Sequence, residues 1–265
     1  TIAQDVYPPW GMSWGADGIV FSKGAGGVFR VAANGGTPEQ IATVGPDELA
    51  YGPQMLPGGD ALMFTLAKGT DPGRWDSADI VVQSLRSGER RTVLSGASDA
   101  RYVPTGHLLY AVAGTVYAIG FDVERQAVAG EAVPVVTGVR RSVAGAANQT
   151  GMAEFSVSDN GVLVYSPGPL IPPRFGDVGR VPTLIDRNGK REALAVEARP
   201  FVRPRVSPDG ARFVVGVAEG DAADVWIYDL SGRSAARRLT FGGRNRYPVW
   251  SADGRRVVFQ SDRDG

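Results

Sequence analysis

The chain has 265 residues with 28 basic and 28 acidic side chains, so its formal net charge is zero and no global field draws it toward polyanions; nucleic acid is not an expected partner. It has no cysteine, which rules out disulfides, thiolate metal sites and a cysteine nucleophile, and it contains one histidine, which rules out histidine-cluster metal sites. No apolar run reaches the roughly 18 to 20 residues needed to cross a bilayer, so no membrane insertion is expected within the chain, and any signal or anchor is expected outside it.

Glycine and proline, at 36 and 18 residues, are spread along the whole length and imply many tight turns between short strands. The first such turn lies in SWGADGIVF (13–21) and sets a plan that recurs. An apolar residue precedes a turn ending in glycine, and a strand follows. The recurrences are MLPGGDALMF (55–64), YVPTGHLLY (102–110), VSDNGVLVY (157–165), VSPDGARFVV (206–215) and WSADGRRVVF (250–259). The turn glycines Gly18, Gly59, Gly106, Gly161, Gly210 and Gly254 are separated by 41, 47, 55, 49 and 44 residues, the length of a four-stranded propeller blade with variable loops. Glycine is required there because a tight hairpin needs positive φ at that position.

These spacings predict an all-β fold: a six-bladed β-propeller of four-stranded antiparallel blades over 8–44, 50–95, 99–137, 152–197, 202–241 and 246–265, in a single domain spanning 1–265. The last blade is expected to be incomplete in this chain, with 1–7 supplying an N-terminal strand. Third and fourth strands are read in VFRVAANGGTPEQIATV, DIVVQSLRSGERRTVL, VPTLIDRNGKREALAV and DVWIYDLSGRSAARRLTF.

In the first blade Gly11-Met12-Ser13-Trp14-Gly15 matches the G-x-S-x-G nucleophile elbow. That elbow needs a strand-to-helix turn, whereas Ser13 falls on an inner strand at the repeat position held by Arg101, Arg205 and Val249 elsewhere, so it reads as structural and no catalytic residue is assigned. The second blade has a long loop over 67–78 in which Arg74, Trp75 and Asp76 set an aromatic among charges, a combination suited to recognition when exposed. In the third, Asp99 and Arg101 precede the turn and His107 follows it; a histidine at a turn edge reads as a surface residue. The fourth has Glu154 before its turn and a long apolar and proline-rich loop over 166–180 containing Phe175. Arg203 in the fifth blade and Arg246 and Tyr247 in the sixth complete a series. Asp99, Glu154, Arg203 and Tyr247 hold equivalent places before their turns and predict a mixed-charge ring at the channel mouth, suited to a polar ligand or a peptide terminus.

The segment PRVSPDG (204–210), followed by DVWIYDLSG, RRLTF and FQSDRDG, resembles the TolB-like, WD-like β-propeller repeat of bacteria, most specifically over the last third of the chain. What the resemblance implies is a shared scaffold, found in TolB, in the propellers of prolyl oligopeptidase-like peptidases and in sensor regions of bacterial kinases. The reading favours a non-catalytic scaffold that binds a protein, peptide or small ligand without a cofactor or metal, as the sensor or interaction region of a larger bacterial protein. A periplasmic or extracellular place is expected, with the cytoplasm as the alternative. The competing function is a propeller hydrolase or lyase, or the gating propeller of a peptidase. A shared fold does not choose between these classes.

Overall fold

The computed structural model describes residues 1–4, 6, 9–71, 73–141, 153–168, 179–186, 188–219 and 222–263. Among them every regular element is a strand. The first blade is β1 (Met12–Gly15), β2 (Gly18–Ser22), β3 (Val28–Val31) and β4 (Glu39–Ala42). The second is β5 (Glu48–Met55), β6 (Ala61–Lys68), β7 (Asp79–Ser84) and β8 (Arg90–Ser95). The third is β9 (Ser98–Val103), β10 (His107–Val112), β11 (Thr115–Asp122) and β12 (Ala127–Val136). The fourth is β13 (Phe155–Val157), β14 (Leu163–Tyr165), β15 (Thr183–Ile185) and β16 (Arg191–Ala193). The fifth is β17 (Phe201–Val206), β18 (Arg212–Glu219), β19 (Ala222–Asp229) and β20 (Arg237–Arg238). A final pair, β21 (Arg246–Trp250) and β22 (Val257–Gln260), forms a two-stranded sheet.

Each four-stranded sheet runs in sequence order from inner to outer strand, the meander of a propeller blade. The blade count corrects the sequence expectation: there are five four-stranded blades, not six, because the sixth turn organises only the β21–β22 hairpin. Nor do the described residues 1–4 and 6 form the expected N-terminal strand. Ile2 instead offers its carbonyl to the Gly36 amide at 3.2 Å, beside the turn between β3 and β4.

All six turn glycines have positive φ, from 65° at Gly254 to 109° at Gly18, as the hairpin reading requires. In the last three turns a side-chain clasp tightens the bend: Ser158, Ser207 and Ser251 donate their hydroxyls to Asn160 Oδ1, Asp209 Oδ1 and Asp253 Oδ1, each at 2.5 Å. The Ser207 hydroxyl and the Ala211 amide together hold the Asp209 carboxyl below the usual aspartate range.

Second strands are buried on both faces, wholly so in β2 and β14 and in all but the last residue of β6, which explains their near-continuous apolar runs. Outer strands such as β16 are exposed. Contacts group into two compact units, one built mainly on β1–β12 and the other mainly on β13–β22 with the segment from Val136 to Arg141. In the first unit Leu56, Met63, Ile80, Leu108 and Phe121 belong to one buried cluster. In the second, Phe201, Phe213, Val215 and Val217 do the same, and each such side chain contributes about 1.5–3 kcal/mol relative to exposure.

Inner strands of neighbouring blades are joined by side-chain to main-chain bonds. Gln54 clasps both main-chain groups of Tyr102, accepting from its amide at 2.9 Å and donating to its carbonyl at 3.1 Å. In the second unit the Val206 amide donates to Ser156 Oγ at 3.0 Å and Trp250 Nε1 donates to the Arg205 carbonyl at 2.9 Å.

Candidate functional site

One position recurs in every repeat, seven residues before the turn glycine, where the chain turns into the inner strand. It is held by Gly11, Gly52, Asp99, Glu154, Arg203 and Tyr247. Five of these six adopt the left-handed backbone: Gly11 at φ 92°, Gly52 at 59°, Asp99 at 53°, Arg203 at 56° and Tyr247 at 57°. For a residue with a Cβ this conformation costs about 1–2 kcal/mol, and non-glycine residues held in such regions concentrate at sites that use them. In β5, β17 and β21 the ladder slips there by a bulge, between Tyr51 and Gln54, Val202 and Arg205, and Arg246 and Val249. A bulge takes one residue out of the pairing and re-aims its side chain.

In the first unit the arc is Gly11, Gly52 and Asp99. The two glycines are in close approach: the Gly52 amide donates to the Trp10 carbonyl at 2.9 Å, and a Cβ on Gly11 would stand 2.6 Å from the Gly52 Cα. A Cβ on Gly52 would meet only Asp99 Oδ1, at 3.6 Å. Asp99 is buried, receives Arg101 Nη2 at 2.9 Å, and donates its amide to Thr65 Oγ1 at 3.0 Å.

The second unit brings Glu154, Arg203 and Tyr247 into contact. The Arg203 amide donates to Glu154 Oε2 at 2.5 Å, and the Arg203 guanidinium lies 3.9 Å from the centre of the Tyr247 ring, a close cation–π contact. Glu154 is 1% exposed. Burial pushes its carboxyl above the usual range, against the opposing pull of Arg203, Arg140 and the Arg203 amide. Arg140, itself buried, is laid across this region by main-chain bonds: its amide donates to the Ser166 carbonyl at 2.9 Å, and its carbonyl receives the Glu154 amide at 2.8 Å.

Of the residues picked out in the sequence, Glu154, Arg203 and Tyr247 are therefore brought together, Asp99 and Arg101 form a pair in the other unit, and Arg246 pairs with Gln260 on the hairpin. Trp75 is not an exposed recognition residue. It is 3% exposed, with Tyr51 edge-on at 5.9 Å and Trp10 at 6.1 Å, because the loop folds back over Ala67 and Ala78. Arg74 is spent on that fold, bonding the carbonyls of Thr70 and Asp71, while Asp76 is exposed. Phe175, with Leu170 and Ile171, lies outside the described residues. Ser13 donates its hydroxyl to the Pro53 carbonyl at 2.8 Å, and His107 is exposed at the start of β10. Asp262 accepts from the Arg244 amide at 2.7 Å, and no group of three or more metal-ligating side chains occurs among the described residues.

Sequence reading missed Gly11 and Gly52 as members of the series, although the seven-residue offset would have found them.

The fold matches that of TolB. A TolB-type protein of Agrobacterium tumefaciens aligns over 95% of this chain and 90% of its own, at 17% identity and a TM-score of 0.62. TolB of Acinetobacter baumannii aligns over 96% of the chain at 13% identity and a TM-score of 0.53, and the chain spans 63% of that protein's length. Oligogalacturonate lyase of Vibrio parahaemolyticus aligns over 94% of the chain and 72% of its own, at 13% identity and a TM-score of 0.57. No family profile matches the chain. Identities this low establish the β-propeller arrangement expected from the repeat, and a scaffold shared by TolB and a lyase assigns no activity. No helix among the described residues is long and apolar enough to cross a membrane.

Proposed function

We propose that the chain is a non-catalytic binding propeller that uses the mouth positions of its inner strands to hold a polar group of a protein, peptide or small ligand, as the sensor or interaction region of a larger bacterial protein in the periplasm or outside the cell. The observation that carries this reading is the contact series Glu154, Arg203 and Tyr247. It places a buried carboxylate, a guanidinium and an aromatic ring at equivalent points of successive repeats, two of them on left-handed backbone. A scaffold with no use for these side chains would be cheaper with glycine there, as at Gly11 and Gly52. The non-catalytic reading is supported by the Ser13 hydroxyl, which donates to a main-chain carbonyl, and by the chain's single histidine, which is exposed at the start of β10.

Selection of a displayed random-peptide library on the wild-type protein tests the reading. Peptides so obtained should lose at least about ten-fold in affinity, some 1.4 kcal/mol, on the Arg203→Ala, Tyr247→Ala double variant, with the fold retained by circular dichroism. Equal binding to both proteins defeats the assignment to the channel mouth. Turnover of a panel of esters, peptides and oligogalacturonate by the purified protein, lost on Ser13→Ala, would replace it with an enzyme.

A further inference from the structure

The fourth blade departs from the first at one buried hydroxyl. In the first blade Ser22 follows β2's apolar run, its amide bonds the carbonyl of the mouth residue Gly11, and its hydroxyl donates at 2.6 Å to the carbonyl of Ala50, two residues before the next mouth position. Ser166 is its counterpart in the fourth blade: its amide bonds the carbonyl of the mouth residue Glu154 at 2.8 Å. The matching acceptor, the Phe201 carbonyl two residues before Arg203, is approached instead by Arg140 Nη1 at 3.5 Å. Ser166 Oγ is buried and has no hydrogen-bond partner among the described residues. Leaving such a group unmade is costly, and a buried hydroxyl without a protein partner calls for an explanation.

Arg180 stands beside it. Its Nη1 donates to the Pro167 carbonyl at 3.2 Å, which fixes the guanidinium, while its Nε is buried without a partner. Gly168 makes room for this arrangement: a Cβ there would lie 2.6 Å from Arg180 Nη1 and 3.4 Å from the Arg140 Cβ. Two like charges, Arg140 and Arg180, are thus packed around one glycine, and burial together with the Arg140 charge weakens the hold of Arg180 on its proton. The Glu154 carboxylate is already engaged by the Arg203 amide.

Resting on the reading of this region as a binding site, we propose that the cluster of Arg140, Ser166 and Arg180 beside Glu154 receives a carboxylate group of the ligand. A carboxylate is planar and accepts two parallel N–H bonds from one guanidinium, which the unpartnered edge of Arg180 offers, and a second oxygen can accept from Ser166 Oγ. Arg180 is partly exposed, whereas Ser166 is buried.

The test is titration calorimetry on the intact chain with three probes: trialanine with a free C-terminal carboxylate, its C-terminal amide, and inorganic phosphate. The acid should bind about ten-fold or more tightly than the amide and more tightly than phosphate. Arg180→Gln should cost the acid about ten-fold, and Ser166→Ala several-fold at unchanged melting temperature. Equal binding of acid and amide, preference for phosphate, or wild-type affinity in the Ser166→Ala and Arg180→Gln proteins overturns the proposal. Should none of the three probes bind, the carboxylate site is refuted, whereas dependence of library-selected peptides on Arg203 and Tyr247 would leave the binding-propeller reading standing.

Discussion

The same backbone device is dressed differently in the two units. At the mouth position the first unit places Gly11 and Gly52 before Asp99, while the second places Glu154, Arg203 and Tyr247. In the first, the device serves close approach of main chains, with Gly11 against Gly52 and Ser22 bonded across to Ala50. In the second, side chains occupy the position, the hydroxyl equivalent to Ser22 is left unbonded, and arginines crowd in. The difference teaches that the repeat specifies a conformation, and that chemistry is added to it blade by blade.

Four substitutions break or sharpen that contrast. The largest effect is expected from Gly11→Ala, which adds a Cβ to left-handed backbone and presses it within 2.6 Å of the Gly52 Cα. Stability should fall by about 3 kcal/mol or more in chemical denaturation; a loss near 1 kcal/mol would mean that the first arc yields easily and that the contrast with the second is weaker than drawn. Next comes the serine pair. Ser22→Ala removes a made hydrogen bond to the Ala50 carbonyl, for an expected cost of about 1–2 kcal/mol, whereas Ser166→Ala removes an unmade one and should leave stability undiminished. Equal costs would show that the two hydroxyls are equivalent after all.

The smallest effect is one of slope. Because burial raises the Glu154 carboxyl above its unfolded value, the folded protein holds that proton more tightly, and the associated stability is fully present below the ordinary glutamate range and lost as pH rises through the raised folded value. Wild type compared with Glu154→Gln by denaturant unfolding across this range should therefore lose relative stability as pH increases. A relative gain with pH would mean that the arginines, and not burial, govern the group.

How much of this was legible in the sequence follows from which interactions are local. The six turn glycines could be read because positive φ is demanded within a four-residue bend, and the spacing between them gave the blade repeat. Asp99, Glu154, Arg203 and Tyr247 could be aligned because their offset from the turn is constant. The number of blades was over-read from the turns: a turn shows only that two strands meet, and the sixth was counted as a blade although it joins just β21 and β22. Trp75 was misjudged since its partners Trp10 and Tyr51 are remote in sequence, and charged neighbours in a loop say nothing of what the ring packs against. Ser166 and Arg180 were invisible for a stronger reason. Their significance is a bond that blade one makes and blade four does not, which exists only when two blades are compared in space.

The left-handed mouth position also bears on how such a chain can change over time. In β5, β17 and β21 the residue there stands outside the ladder at a bulge, so replacing it does not disturb the strand pairs on either side, and at Gly52 there is even room for a side chain. Loops between outer strands can lengthen freely, but insertion between mouth and turn would shift every inner-strand side chain to the opposite face. The repeat is thus fixed in length over that stretch and, where the inner strand carries a bulge, free in composition at its first residue, an arrangement that lets one blade gain or shed a ligand contact while its neighbours keep theirs.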